Sequence, residues 1–110
     1  LTLSPQDALP PETPQNMQES AAAAAAFLKA LAHEGRLMIL CHLGAGERSV
    51  GELEGLLDMR QAAVSQMLAR LREEGLVATR REGKTVYYSL QDPKTEETIA
   101  LLYKHFCSGL

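Results

Sequence analysis

Residues 49–75 read SVGELEGLLDMRQAAVSQMLARLREEG, and the start and stop signals in this stretch decide the fold. Ser49-Val50-Gly51-Glu52 is an S-x-x-E capping box, in which serine and glutamate satisfy backbone amides at a helix start. Leu53, Leu56 and Leu57 then fall at helical spacing. The helix must be short, because Asp58-Met59-Arg60-Gln61 is a second start signal, with Asp58 placed to cap and Gln61 three residues on. Behind it Val64, Met67, Leu68 and Leu71 repeat at helical spacing. Gly75 stops this second helix, with apolar Leu76 where a Schellman motif wants it. Two helices joined by a very tight turn, the second longer, amphipathic and arginine-bearing, form the pattern of a helix-turn-helix.

Downstream, Leu76–Arg81 and Thr85–Leu90 are rich in β-formers. Glu82-Gly83-Lys84 between them supplies the glycine a hairpin turn needs. Arg80, Arg81 and Lys84 crowd this tip, so the hairpin reads as a wing that rests on the phosphate backbone; the plain alternative is a solvated hairpin capping the core. Asp92-Pro93 restarts a helix, the aspartate as cap and the proline at the first helical position. Ile99, Leu102, Tyr103 and Phe106 give that helix an apolar stripe, with Cys107 beside it.

Upstream, residues 1–16 carry Pro5, Pro10, Pro11 and Pro14 with no periodicity, and read as a disordered arm. From about Met17 the chain turns helical through six alanines to Phe27-Leu28-Lys29-Ala30-Leu31. This long helix serves either a dimer or its own core. His33-Glu34-Gly35 breaks it, and the nearly all-apolar run Arg36–Leu43 predicts a central helix buried on most sides, closed by Gly44-Ala45-Gly46. The fold expected is mainly α with a small β-hairpin, a winged helix-turn-helix in the order α-α-α-α-β-β-α, as one domain over residues 17–110.

A chain of 110 residues suits one domain with a modest core, and no apolar run reaches membrane-spanning length. No secretory signal pattern is present, which places the protein in the cytoplasm, where two cysteines are mostly thiols. The net charge of −3 at first argues against a nucleic-acid partner, but its distribution answers this. Residues 60–84 hold Arg60, Arg70, Arg72, Arg80, Arg81 and Lys84 against only Glu73, Glu74 and Glu82. The positive field therefore coincides with the second helix of the motif and the hairpin, and the acidic remainder weakens indiscriminate adhesion to DNA. On the helix face turned away from Val64, Leu68 and Leu71, the candidates for base edges are Gln61, Ala62, Ser65 and Gln66. Arg60, Arg70, Arg80, Arg81 and Lys84 are the candidates for phosphate. No Ser/His/Asp set, phosphate loop or paired carboxylates support an enzyme. A winged helix that contacts only protein is the third class, against which the basic hairpin argues.

The chain from about Met17 to Gly109 resembles the ArsR/SmtB family of winged-helix repressors. The resemblance rests on Leu31-Ala32-His33-Glu34-Gly35-Arg36-Leu37, on the run from Val64 to Val77, and on Arg80–Lys84 with Tyr87-Tyr88. It implies a homodimer joined by the first and last helices, bound to double-stranded operator DNA with an imperfect palindrome. The family's metal sites do not carry over. Ser49-Val50-Gly51 stands where one site has its C-x-C thiols, and the last helix offers Lys94, Leu101, Leu102 and Lys104 where another has acids and histidines, with only Asp92 and His105 near its ends. No metal or other cofactor is expected.

What remains is Cys41 on the second helix and Cys107 on the last, a pattern similar to the reactive-sulfur-sensing branch of the SqrR/BigR type. The resemblance implies that low-molecular-weight persulfides or polysulfides join these two sulfurs through extra sulfur atoms and that DNA is then released. A plain disulfide needs Cα atoms within about 7 Å, and each inserted sulfur adds roughly 2 Å, so rigid helices can favour a polysulfide over a disulfide. The attacking sulfur must be a reachable thiolate, and His42 and His105 are sequence neighbours that could supply polarity. Three alternatives stay open: two buried structural cysteines, a general disulfide sensor, or a two-thiolate site for arsenite or Cu(I). Cys41 and His42 themselves point about 100° apart on a helix and do not suit one ion together.

Overall fold

The computed structural model describes residues 14–107. The elements are α1 (Pro14–Leu31), α2 (Glu34–Gly44), β1 (Arg48–Ser49), α3 (Val50–Leu57), α4 (Gln61–Glu73), β2 (Val77–Glu82), β3 (Thr85–Leu90) and α5 (Pro93–Phe106). The expected winged helix-turn-helix is present, with one strand more than the hairpin. Helix α1 begins at Pro14, three residues before Met17, because proline at the start of a helix forfeits no hydrogen bond. The rest of the arm expected to be disordered lies outside the described residues.

Each boundary has a local cause. His33 is the N-cap of α2, its Nδ1 accepting from the Arg36 amide. Arg36 in turn donates to the carbonyls of Ala30 (2.6 Å) and Lys29 (3.1 Å), so one side chain closes α1 while its own helix begins. The Ser49–Glu52 capping box is fully formed, at 3.1 and 2.9 Å. The expected Asp58 cap of α4 is not. Asp58 sits at φ 52°, ψ 49° and terminates α3; the N-cap of α4 is Arg60, which makes no side-chain cap bond. An N-cap needs extended backbone, and a residue spent on a left-handed turn cannot supply it. At the other end of α4 the Schellman motif is complete. Leu76 donates to the Leu71 carbonyl (2.9 Å) and Gly75, at φ 77°, donates to that of Arg72 (3.0 Å). Asp92 caps α5 through the Thr95 amide (2.8 Å) and hydroxyl (3.0 Å), which also satisfies the buried Thr95.

The sheet order is β1-β3-β2, antiparallel throughout. Glu82 pairs with Thr85, so the wing turns on Gly83-Lys84 alone, with positive φ only at Gly83, the type II′ pattern. The unpredicted β1 pairs Arg48 with Tyr88 and Ser49 with Tyr87. It joins the wing to the start of α3 and so fixes the hairpin against the helix-turn-helix.

The core is one cluster drawn from every helix and from β2: Ala30, Leu31, Ile39, Leu40, Leu43, Leu53, Leu57, Val64, Met67, Leu68, Leu71, Leu76, Val77 and Ile99. Helix α2 lies at its centre, packed against α1, α3, α4, α5 and β3. It is less enclosed than its sequence implied, since Met38 is exposed and Cys41 half-buried. Helix α4 is held by Val64, Met67, Leu68 and Leu71, each large side chain contributing roughly 1.5–3 kcal/mol on burial.

Candidate DNA interface and thiol pair

Because four residues of α4 face the core, the opposite face is fixed in solvent. Ala62, Ser65 and Gln66 are exposed there, as the spacing required, whereas Gln61 lies in line with Val64 and Leu68 and is exposed as the first residue of the helix. Arg60, Arg81 and Lys84 are exposed as well, the last at the wing tip. Arg70 is half-buried and ion-pairs with Glu74 at 3.3 Å.

The wing divides its two arginines. Strand side chains alternate between faces, and cross-strand partners share one. Arg81 pairs with Val86 on the face that carries Val77, Tyr88 and Leu90 toward the core. Arg80 pairs with Tyr87 on the other face and lies over that ring, 4.9 Å from its centroid. Its guanidinium also holds Glu47 (2.5 and 3.2 Å) and Glu82 (2.7 Å). These partners keep Arg80 charged well above the ordinary arginine range and hold the Glu47 carboxyl below the usual carboxylate range. One side chain thus spans the sheet from β2, across β3, to the residue before β1. Nothing in the sequence pairs Glu47 with Arg80, which are 33 positions apart; β1, which brings them together, is too short to leave a periodic signal.

Cys41 and Cys107 are both free thiols and both half-buried. Cys41 lies within α2, whereas Cys107 is the C-cap of α5, just past the helix in which it was expected, its amide donating to the Tyr103 carbonyl (2.8 Å). Helices α2 and α5 pack on one another. Burial first, and then the neighbouring Cys107 charge, push the Cys41 thiol above the ordinary thiol range. Alkylation of Cys41 by iodoacetamide is therefore expected to climb about tenfold per pH unit from neutrality to beyond the ordinary thiol range, tracking the thiolate. Replacing Cys107 by serine should move that profile to lower pH, as followed by mass spectrometry. Among the described residues no group of three or more His, Cys, Asp and Glu is arranged to hold a metal ion, and no helix is long and apolar enough to cross a membrane.

A helix-turn-helix whose second helix shows a polar face, followed by a sheet with a basic tip, defines a winged-helix DNA-binding module. The sequence profile described as "Bacterial regulatory protein, arsR family" matches residues 33–79. The Biofilm growth-associated repressor of Agrobacterium fabrum is 50% identical over 92 residues, 84% of this chain and 79% of that one. The transcriptional activator HlyU of Vibrio cholerae is 46% identical over 95 residues, 86% of this chain and 88% of that one. The reduced form of HlyU superposes with a TM-score of 0.83 at 47% identity, covering 86% of this chain and 99% of the other. The transcriptional repressor BigR of Xylella fastidiosa gives 0.79 at 43% identity, covering 87% and 95%. The chain belongs to the arsR family of bacterial regulatory proteins, and it is a DNA-binding transcriptional regulator.

Proposed function

We propose that this regulator is a dithiol-controlled, cytoplasmic repressor: a homodimer that holds operator DNA while Cys41 and Cys107 are reduced and releases it when reactive sulfur bridges them. The observation that carries the reading is the pair of free, half-buried thiols on the two packed elements α2 and α5. Two relatives are named as repressors, which supports repression, and the structure of a third, the activator HlyU, is that of a reduced form, which supports a regulator whose thiol state matters.

The bridge needs no external oxidant when persulfide is the inducer. Each thiolate takes a sulfane sulfur from a donor persulfide and releases the donor thiolate. One cysteine persulfide then attacks the other, forming a trisulfide and expelling hydrogen sulfide. The added sulfur lengthens the reach of the link. The test compares reduced, peroxide-treated and persulfide-treated protein by intact mass and operator binding. Only the persulfide arm should gain one sulfur less two hydrogens across the pair and lose the operator. A confirmed Cys41–Cys107 link with unchanged affinity refutes the mechanism, and an equal response to arsenite or Cu(I) without added sulfur transfers the switch to metal.

At the DNA, Gln61, Ala62, Ser65 and Gln66 meet base edges in the major groove, while Arg60, Arg70, Arg81 and Lys84 meet phosphate, joined by Arg80 once it exchanges its carboxylates. Gln66→Ala is expected to relax sequence preference by about 1–3 kcal/mol at one base pair, and Arg81→Ala to weaken all sequences alike and lower the salt slope by about one phosphate. Equal losses on operator and random DNA for both variants contradict the division. Glu47→Gln frees Arg80 from its main carboxylate, so affinity for random DNA at low salt should rise about three- to tenfold, with a steeper salt slope. Fluorescence anisotropy across a salt series reads both.

A further inference from the structure

Glu47 and Glu82 together engage all three guanidinium nitrogens of Arg80, Glu47 at 2.5 and 3.2 Å and Glu82 at 2.7 Å, while the Tyr87 ring lies 4.9 Å from the cation. Arg81 and Lys84 have no ion pair among the described residues. Glu47 belongs to neither the wing nor α4; it stands just before β1 and reaches Arg80 across the sheet. Two carboxylates set around one guanidinium offer it the same kind of oxygens that phosphates would. Any duplex that is to gain Arg80 must displace them, and its own phosphates must approach Glu47 and Glu82 to do so.

We infer that Glu47 is a positioning residue for DNA selection: it reserves Arg80 for duplexes whose minor groove beneath the wing is narrow, as in A·T tracts. The inference rests on the reading that the wing lies on DNA and adds the class of DNA chosen there. The potential of a duplex is uneven. It is most negative where a narrow groove brings the two backbones together, and such grooves attract arginine. Over G·C pairs the potential is shallower, and the carboxylates keep their hold on Arg80. Stacking on Tyr87 uses the face of the guanidinium and leaves its N–H donors at the edge, so the side chain exchanges carboxylate for DNA without leaving the ring. Arg81 and Lys84 meet no such competitor and strengthen the binding of every duplex alike.

The test measures the reduced protein at low salt by fluorescence anisotropy on three duplexes: poly(dA)·poly(dT), poly(dG)·poly(dC) and poly(dI)·poly(dC). Inosine lacks the exocyclic amine of guanine, so the third duplex keeps the major-groove edges of G·C and carries the minor-groove edges of A·T. The wild type should bind the A·T and I·C duplexes about fivefold more tightly than the G·C duplex. Glu47→Gln and Arg80→Ala should both bring that ratio toward one, but from opposite sides. Glu47→Gln should tighten binding to G·C, whereas Arg80→Ala should weaken binding to A·T and I·C. Both positions are exposed, so neither change disturbs the core. Equal binding of all three duplexes by the wild type overturns the inference. So does a preference that groups I·C with G·C, which belongs to α4 in the major groove, and so does a preference that Glu47→Gln leaves unmoved. Failure of the underlying reading looks different: Arg80→Ala, Arg81→Ala and Lys84→Ala would each leave the affinity for every duplex unchanged, and both would fall together.

Discussion

A Cys107→Ser chain is expected to bind its operator as tightly as the reduced wild type and to keep it after persulfide treatment, while the wild type loses affinity about 50-fold. The asymmetry follows from what each thiol can do alone. A single persulfide on Cys41 adds one small group beside a cavity wide enough to hold it, and α2 need not move. A covalent link between α2 and the end of α5 is different, because it fixes the distance between two packed elements that thermal motion otherwise leaves adjustable. Sites that respond through such a two-state element couple by about 1–3 kcal/mol, or about 5- to 150-fold. The variant must be read by intact mass as well as anisotropy. It should still gain sulfur at Cys41, so that retained binding reflects a missing bridge and not a missing reaction. Release of operator by singly sulfurated Cys107→Ser would show that modification of Cys41 suffices, and the second thiol would lose its assigned part.

Most of the fold is written in short-range signals. The Ser49–Glu52 box, the Gly75–Leu76 stop and the Asp92-Pro93 start each act within five positions, and each is formed as its residues required. Asp58 went the other way for an equally local reason. Asp favours caps and also tolerates left-handed backbone, and in a turn this tight the second use excluded the first. Strand β1 was illegible because two residues carry no period, and because Ser49 had already been spent on a cap.

The candidate site divides along the same line. The exposed face of α4 was legible because burial of Val64, Met67, Leu68 and Leu71 turns Ala62, Ser65 and Gln66 outward, while Gln61 is exposed only by its place at the helix start. The state of the arginines was not. Arg80 and Arg81 are neighbours in sequence and alike in chemistry, yet alternation along β2 puts them on opposite faces, and a carboxylate from a distant turn engages only one. The cavity beside Cys41 is likewise a product of packing between α2 and α5, and no spacing announces a void.

Leu28→Glu is expected to raise the dimer dissociation constant about 100-fold or more and to reduce operator binding to that of a single half-site. The apolar pattern of α1 and α5 extends past what the protomer's own core covers. On α5 the stripe begins with buried Ile99 but ends with Tyr103 and Phe106, 56% and 81% exposed, and on α1 Leu28 is 58% exposed beside buried Ala30 and Leu31. A helix that keeps an apolar stripe uncovered is stabilised by a second surface, and first and last helices offering such stripes together fit the homodimer. A carboxylate placed there must be desolvated without a partner when the surfaces meet, which costs several kcal/mol. Leu56 provides the control, being similarly exposed but on α3, within the helix-turn-helix. Leu56→Glu should leave the sedimentation profile unchanged over the concentrations at which Leu28→Glu dissociates. Should both remain dimeric, the uncovered stripe of α1 is not what joins two copies, and the spacing of the recognition helices must be set by some other surface.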